Sequence, residues 1–143
     1  MVKHILVAAD GSTPSRNAAA YAFELARQMH AKVTLLTVLP QPEVMPLGPL
    51  SGFATVTPSL TTDDLRVLKV HLAELADASD GVEYERVVEI GPVVDTIVRW
   101  AAQHAVDMIV IGARGLGAGQ RLLLGSISDR VVHGAHCPVT VWR

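Results

Sequence analysis

Cysteine is nearly absent: Cys137 is the one thiol in 143 residues, so no disulfide can close within the chain, and a reducing compartment suits it. Aromatic residues are scarce at 4%, which leaves Val, Leu, Ile and Ala to build the core. Neither sign of charge dominates. Twelve Lys and Arg stand against 14 Asp and Glu, a formal net charge of -2, and without a basic footprint nucleic acid is disfavoured as the main partner. No apolar run approaches the ~20 residues of a membrane span, and the first one, Ile5 to Ala9, stops at Asp10. What is present is 50% hydrophobic residues and a mean hydropathy of +0.34, which argues against a disordered chain. A chain of this length buries about two thirds of its unfolded surface without metal or disulfide. The expectation is one soluble, cytoplasmic domain over residues 1–143.

The apolar runs alternate in type. His4 to Ala9, Lys32 to Leu39, Val82 to Ile90, Asp107 to Ile111 and Pro138 to Trp142 are short, β-branched and bounded by turn formers, and they read as strands. Helical patterns lie between them. Thr13 is a fitting N-cap with Pro14 at the first helical position, and Ala18, Ala22, Leu25 and Met29 recur on one face. Thr61, Asp63 and Asp64 open a second helix with a stripe of Leu65, Leu68, Leu72 and Leu75. Gly91 and Pro92 start a third, with Val94, Ile97, Val98 and Ala101 on one face, and Gly125 and Ser126 start a fourth that carries Val131, Val132 and Ala135. Such alternation implies an α/β fold with a parallel sheet, right-handed crossovers and helices on both faces. The segment from Pro40 to Leu60 breaks the rhythm with five prolines, so neither a regular helix nor a central strand is expected there. It reads equally as a lid and as a surface insertion.

After the Asp107 to Ile111 strand the chain runs GARGLGAGQRLLLGSIS, with glycines at 112, 115, 117, 119 and 125. Glycine reaches φ > 0 and lets backbone N–H groups approach a ligand without a Cβ in the way. The segment leaves a strand and ends at a helix start, whose unpaired N–H groups and positive dipole end favour phosphate. Ser126 and Ser128 supply hydroxyls, and Arg114 and Arg121 supply charge. The competing reading is a glycine turn in which Ser126 caps its own helix. No GxxxxGK[ST] occurs, which excludes a P-loop nucleotidase, and no GxGxxG follows the first strand, which argues against a dinucleotide enzyme.

Gly112, Gly115, Gly125 and Ser126 meet the spacing of the phosphate motif in ATP-binding universal stress proteins, and HILVAADGS and GSISDRVVHGAHCPVTVWR resemble that family's first strand and terminal helix-strand unit. The resemblance spans the chain. It implies a five-stranded parallel sheet in a Rossmann-like open α/β sandwich, strand order 3-2-1-4-5, that binds adenine nucleotide. It further implies that Asp10 holds a ribose hydroxyl, the adenine amino group or a phosphate-bound Mg²⁺ through water; the residue-level alternative is that Asp10 only caps its turn. By the same resemblance the backbone at Val38 meets the adenine edge, and Ala8 and Gly112 lie beside the ribose. Gly115 faces the phosphates, and Gly125, Ser126, Ile127 and Ser128 take the phosphate chain. Two positions depart from the family pattern: Ala8 replaces a proline and Thr37 a histidine. The nucleotide is therefore ATP or another adenine nucleotide, a cyclic one included.

No catalytic residue is assigned. Asp10 is the only obvious carboxylate near the expected phosphates, and phosphoryl transfer needs a group that orients the nucleophile. Ser126 lacks a GxSxG elbow. His133, His136 and Cys137 invite a metal reading, but no further spaced ligand accompanies them, so the metal stays unassigned. The leading expectation is a nucleotide-binding regulatory protein with slow or no hydrolysis. Against it stand an ATP hydrolase or phosphotransferase using Asp10, and a structural dimer module that binds no nucleotide. Pro138 to Trp142 reads as an edge strand, a ready pairing surface, and the resemblance implies a homodimer through it.

Overall fold

A computed structural model describes residues 1–40, 43–46, 53–56, 79–113 and 125–143. The elements run β1 (His4–Ala8), α1 (Thr13–Met29), β2 (Lys32–Leu39), β3 (Glu43–Pro46), β4 (Phe53–Val56), β5 (Tyr84–Ile90), α2 (Val93–Gln103), β6 (Met108–Gly112), α3 (Ser126–Gly134) and β7 (Val139–Trp142). Five strands form one sheet in the order β5-β2-β1-β6-β7, and every pairing in it is parallel. Counted along the chain, those five strands stand in the expected order 3-2-1-4-5.

The pleat turns successive side chains to opposite faces, and both faces are buried, as a parallel sheet covered by helices requires. Ile5, Val7, Val33 and Leu35 pack under α1 with Ala18, Ala19, Ala22, Phe23 and Ala26. The alanine stripe lets α1 lie close on the sheet, and Phe23 fills the remaining volume at 0% exposure. Cutting Phe23 back to Ala would cost about 3–5 kcal/mol. On the other face Leu6, Leu36, Ile109 and Ile111 pack under Val94, Ile97 and Trp100 of α2 and Val131 of α3. Val132, the next residue on α3, is exposed, because one residue turns a helix by about 100°.

Several boundaries differ from the sequence reading. The N-cap of α1 is Ser12, whose Oγ accepts from the Ser15 N–H at 3.3 Å, and Thr13 is already helical. A capping oxygen must reach the N–H three residues on, and Ser12 makes that contact. β5 begins at Tyr84 because Val82 is held in a turn, its N–H donating to the Ser79 carbonyl at 2.7 Å. Within the proline-rich segment, β3 and β4 pair antiparallel as a two-stranded ribbon separate from the main sheet. Pro46 ends β3, a position where a missing N–H is tolerated. The expected helix from Thr61 through Leu75 lies outside the described residues, as do Arg114, Gly115, Gly117, Gly119 and Arg121. Among the described residues no helix is long and apolar enough to cross a membrane.

Candidate functional site

The pairing of β1 with β2 ends at Ala8 opposite Leu36, followed by one further bond from the Ala9 N–H to the Leu36 carbonyl at 2.9 Å. β2 continues to Leu39. Past its last residue, β1 therefore leaves a gap between the ends of β2 and β6, where the strand order reverses and open α/β sheets receive ligands. A cleft of about 410 Å³ occupies this gap. Its lining includes Ala8, Asp10, Val38, Gly112, Gly125, Ile127 and Ser128, so seven of the residues singled out in the sequence meet in one place. Ser126 sits among them in sequence but is exposed and outside the lining, and Gly115 lies outside the described residues.

One side of the cleft is apolar, walled by Leu36, Leu39, Pro40, Val93, Ile97 and Ile111. The other side is made of turn and helix-start backbone: Gly11, Ser12 and Ser15 at α1, and Gly125, Ile127 and Ser128 at α3. The two helix starts differ. At α1 the Ser12 side chain caps the helix, and Ser15 Oγ donates back to the Ser12 carbonyl at 2.9 Å. At α3 the N-cap is Gly125, and among the described residues no side chain caps the helix. Ser128 is buried at 2% exposure, and its hydroxyl donates to the Gly125 carbonyl at 2.9 Å. The Ser128 hydroxyl is thus engaged within its own helix turn, and the N-cap is Gly125, which corrects the reading of Ser126 as a side-chain cap. The first turn of α3 presents backbone N–H groups and its positive dipole end to the cleft.

Asp10 is exposed at the mouth, and its Oδ1 accepts from the Ser12 N–H at 2.9 Å. This Asx turn aims the carboxylate beside the start of α1. Among the described residues Asp10 is the only carboxylate in the lining, which holds no His, Lys or Arg. Gly112 serves packing as well as the cleft: a Cβ there would lie 2.5 Å from the carbonyl carbon of Pro14. Thr37, Val93 and Ile97 are lining residues that sequence reasoning missed. The two apolar ones were legible only as helix core, and Thr37 only as a departure from the family's histidine.

The amino ends of the same strands carry a second polar cluster. His4 is buried at 5% exposure, with Nε2 2.8 Å from Thr34 Oγ1 and Nδ1 3.2 Å from the His104 carbonyl. Burial, followed by the nearby Lys32 charge, holds its pKa below the ordinary 6.5. Asp107 Oδ2 accepts from the N–H groups of Lys3 and His4 at 2.7 and 3.0 Å, and these bonds lower its pKa. Near the chain end, His133 turns Nδ1 to the Asp129 carbonyl at 2.8 Å, and burial raises the Cys137 thiol. Among the described residues no group of three His, Cys, Asp or Glu could hold a metal ion.

The chain is similar to known proteins along its whole length. It is 32% identical over 150 residues to the universal stress protein YxiE of Bacillus subtilis, covering 100% of both chains. With the universal stress protein MJ0531 of Methanocaldococcus jannaschii it shares 30% identity over 141 residues, which is 99% of this chain and 82% of the relative. Among solved structures, the universal stress protein UspA from Lactobacillus plantarum superposes with a TM-score of 0.66 at 27% identity, over 99% of this chain and 98% of that one. The universal stress protein family model matches residues 1–143, and the chain belongs to that family.

Proposed function

We propose that this protein is an ATP-binding regulatory protein of the stress-response class that holds its nucleotide in the cleft with slow or no hydrolysis. The observation that carries the reading is the cleft's polarity: an apolar slot between Val38 and Ile97 leads to the start of α3 at Gly125, which no side chain caps among the described residues. A flat aromatic base suits the slot, and a phosphate chain suits the unpaired N–H groups. The backbone at Val38 meets the base edge, and Ala8 and Gly112 flank the ribose. Asp10 takes a ribose hydroxyl or a phosphate-bound Mg²⁺ through water. Gly115, Gly125, Ser126, Ile127 and Ser128 hold phosphate, with Ser128 acting through its N–H.

Solved proteins of this fold hold cAMP, dAMP and AMP, and that record supports an adenine nucleotide in general. Among the described residues Asp10 is the one carboxylate of the lining and no second acid or base stands beside it, which supports binding over turnover. The near-neutral charge and the open β7 edge support a cytoplasmic homodimer of one domain each, paired through Pro138 to Trp142, without nucleic acid or membrane as partner. The deciding experiment is the mass of any nucleotide released on denaturing freshly purified protein, followed by calorimetry with ATP and Mg²⁺. A released adenine nucleotide with saturable rebinding is the expected result. Absence of both returns the chain to a structural dimer module.

A further inference from the structure

The upper end of β2 carries an exchange of hydrogen bonds that bears on the cleft. Alternate residues of a strand turn their peptide groups to opposite neighbours. The Lys32 N–H donates to the Lys3 carbonyl and the Leu36 carbonyl accepts from Ala9, while the Val33 N–H and the Leu39 carbonyl bond to Glu83 and Gly91 on the β5 side. By this alternation the Val38 N–H and carbonyl face the β1 side. Had the β1–β2 ladder continued, its next rung after Ala9 N–H to Leu36 would be Val38 N–H to the Ala9 carbonyl. Among the described residues that rung is not made. The Ala9 carbonyl accepts instead from Thr37 Oγ1 at 2.8 Å, a buried bond from a side chain 7% exposed.

We propose that Thr37 is a positioning residue of the cleft: its hydroxyl takes the Ala9 carbonyl in place of the Val38 N–H and so releases that N–H toward the ligand. Ala9 stays hydrogen-bonded, so ending the ladder early leaves no buried carbonyl orphaned. Val38 then offers a donor and an acceptor side by side in the cleft. That pair matches a base edge with a ring nitrogen acceptor next to an amino group, as in adenine. It mismatches hypoxanthine, whose edge carries a ring N–H beside a carbonyl. The ligand half of this inference rests on the nucleotide reading above, whereas the exchange of rungs is a property of the free protein.

The test uses the full chain as wild type, Thr37→Val and Thr37→Ser, with amide hydrogen exchange of the free proteins and calorimetry against ATP and ITP. In the wild type the Val38 amide exchanges faster than its neighbour Leu36. In Thr37→Val the Ala9 carbonyl recaptures the Val38 N–H: exchange at Val38 slows, ATP affinity falls about tenfold as one base hydrogen bond is lost, and the preference for ATP over ITP shrinks by the same factor. Thr37→Ser restores both. A wild-type Val38 amide as protected as Leu36 overturns the proposal even if the valine variant fails to fold. So does a folded Thr37→Val variant whose Val38 exchange and base preference are unchanged. Wild-type protein that binds neither nucleotide, yet shows the exchange pattern, removes the nucleotide reading and leaves the Thr37 bond exchange standing.

Discussion

Gly112 lies directly beneath Pro14: a Cβ added to the glycine would stand 2.5 Å from the proline's carbonyl carbon and 2.6 Å from its oxygen. The first turn of α1 can rest on β6 only because that side chain is missing. Gly112→Ala should therefore push α1 outward and destabilise the fold by about 1–3 kcal/mol. Urea denaturation measures the loss, and a variant as stable as wild type would show that the first turn moves freely.

Ser126 and Ser128 separate a surface role from a structural one. Ser128→Ala removes a buried donor to Gly125 and should cost about 0.5–1.5 kcal/mol of stability. Ser126 is exposed, so Ser126→Ala should change stability by less than about 0.5 kcal/mol. The nucleotide reading adds that Ser126→Ala weakens ATP several-fold while leaving adenosine binding unchanged, a contrast that calorimetry with the two ligands resolves.

Asp10→Asn keeps an oxygen for the Ser12 N–H, so the Asx turn survives, while the charge is lost. The melting temperature should stay within about 2 °C of wild type. The gain in ATP affinity on adding Mg²⁺ should disappear, and affinity without Mg²⁺ should not fall. Titration with and without the cation reads both, and an intact Mg²⁺ effect in the variant removes Asp10 from the phosphate site.

The lowered pKa of His4 fixes a pH dependence. Its folded value lies below the unfolded 6.5, so the unfolded chain binds the proton more tightly. The stability it contributes is complete above 6.5 and is lost as pH falls from there through the folded value. Asp107 adds a second loss on the acid side of 3.8, because its folded value is also depressed. Thr34 Oγ1 gives its single proton to Glu85 Oε1 at 2.9 Å, so in its 2.8 Å contact with His4 Nε2 the hydroxyl oxygen is the acceptor. The denaturation midpoint should drop as pH falls below 6.5, and His4→Gln should remove that slope.

On β7, the Pro138 and Trp142 carbonyls accept from Ile109 and Ala113, so Thr140, at the same parity, also faces β6. Val139 and Val141 therefore turn their N–H groups to the open edge. Val141→Pro deletes an outward donor without cutting a β6 rung. It should leave the circular dichroism spectrum intact and convert the proposed homodimer to monomer in light scattering.

The sheet was legible because its signal is local. Lys32 to Leu39 is bounded as read, whereas the order 3-2-1-4-5 comes from the family resemblance, because alternation alone is compatible with other doubly wound orders. The phosphate end of the cleft was legible in the glycine-rich run that closes at Gly125, whereas Asp10 enters through the family resemblance. What sequence could not convey was how each hydroxyl is engaged. Ser128 bonds to Gly125, Thr37 to Ala9, and Ser12 rather than Thr13 caps α1. Each outcome depends on ångström-scale approach between elements, and composition is silent on that. The β3–β4 ribbon was hidden for another reason, since the prolines around it mask short pairing segments.

The chain has two tryptophans, and one strand and one helix carry them to opposite ends of the sheet. Trp142 pairs with Gly112 at the cleft edge and stacks on Tyr21 with ring centroids 4.3 Å apart. Trp100 stacks on His104 at 3.8 Å and meets His4 edge-on at 6.0 Å. The protein thus carries two separate optical reporters. Emission from Trp142 should report on the Gly112 end of β6 and emission from Trp100 on the His4 end of β1, and replacing either one by Phe leaves the other free to be read alone.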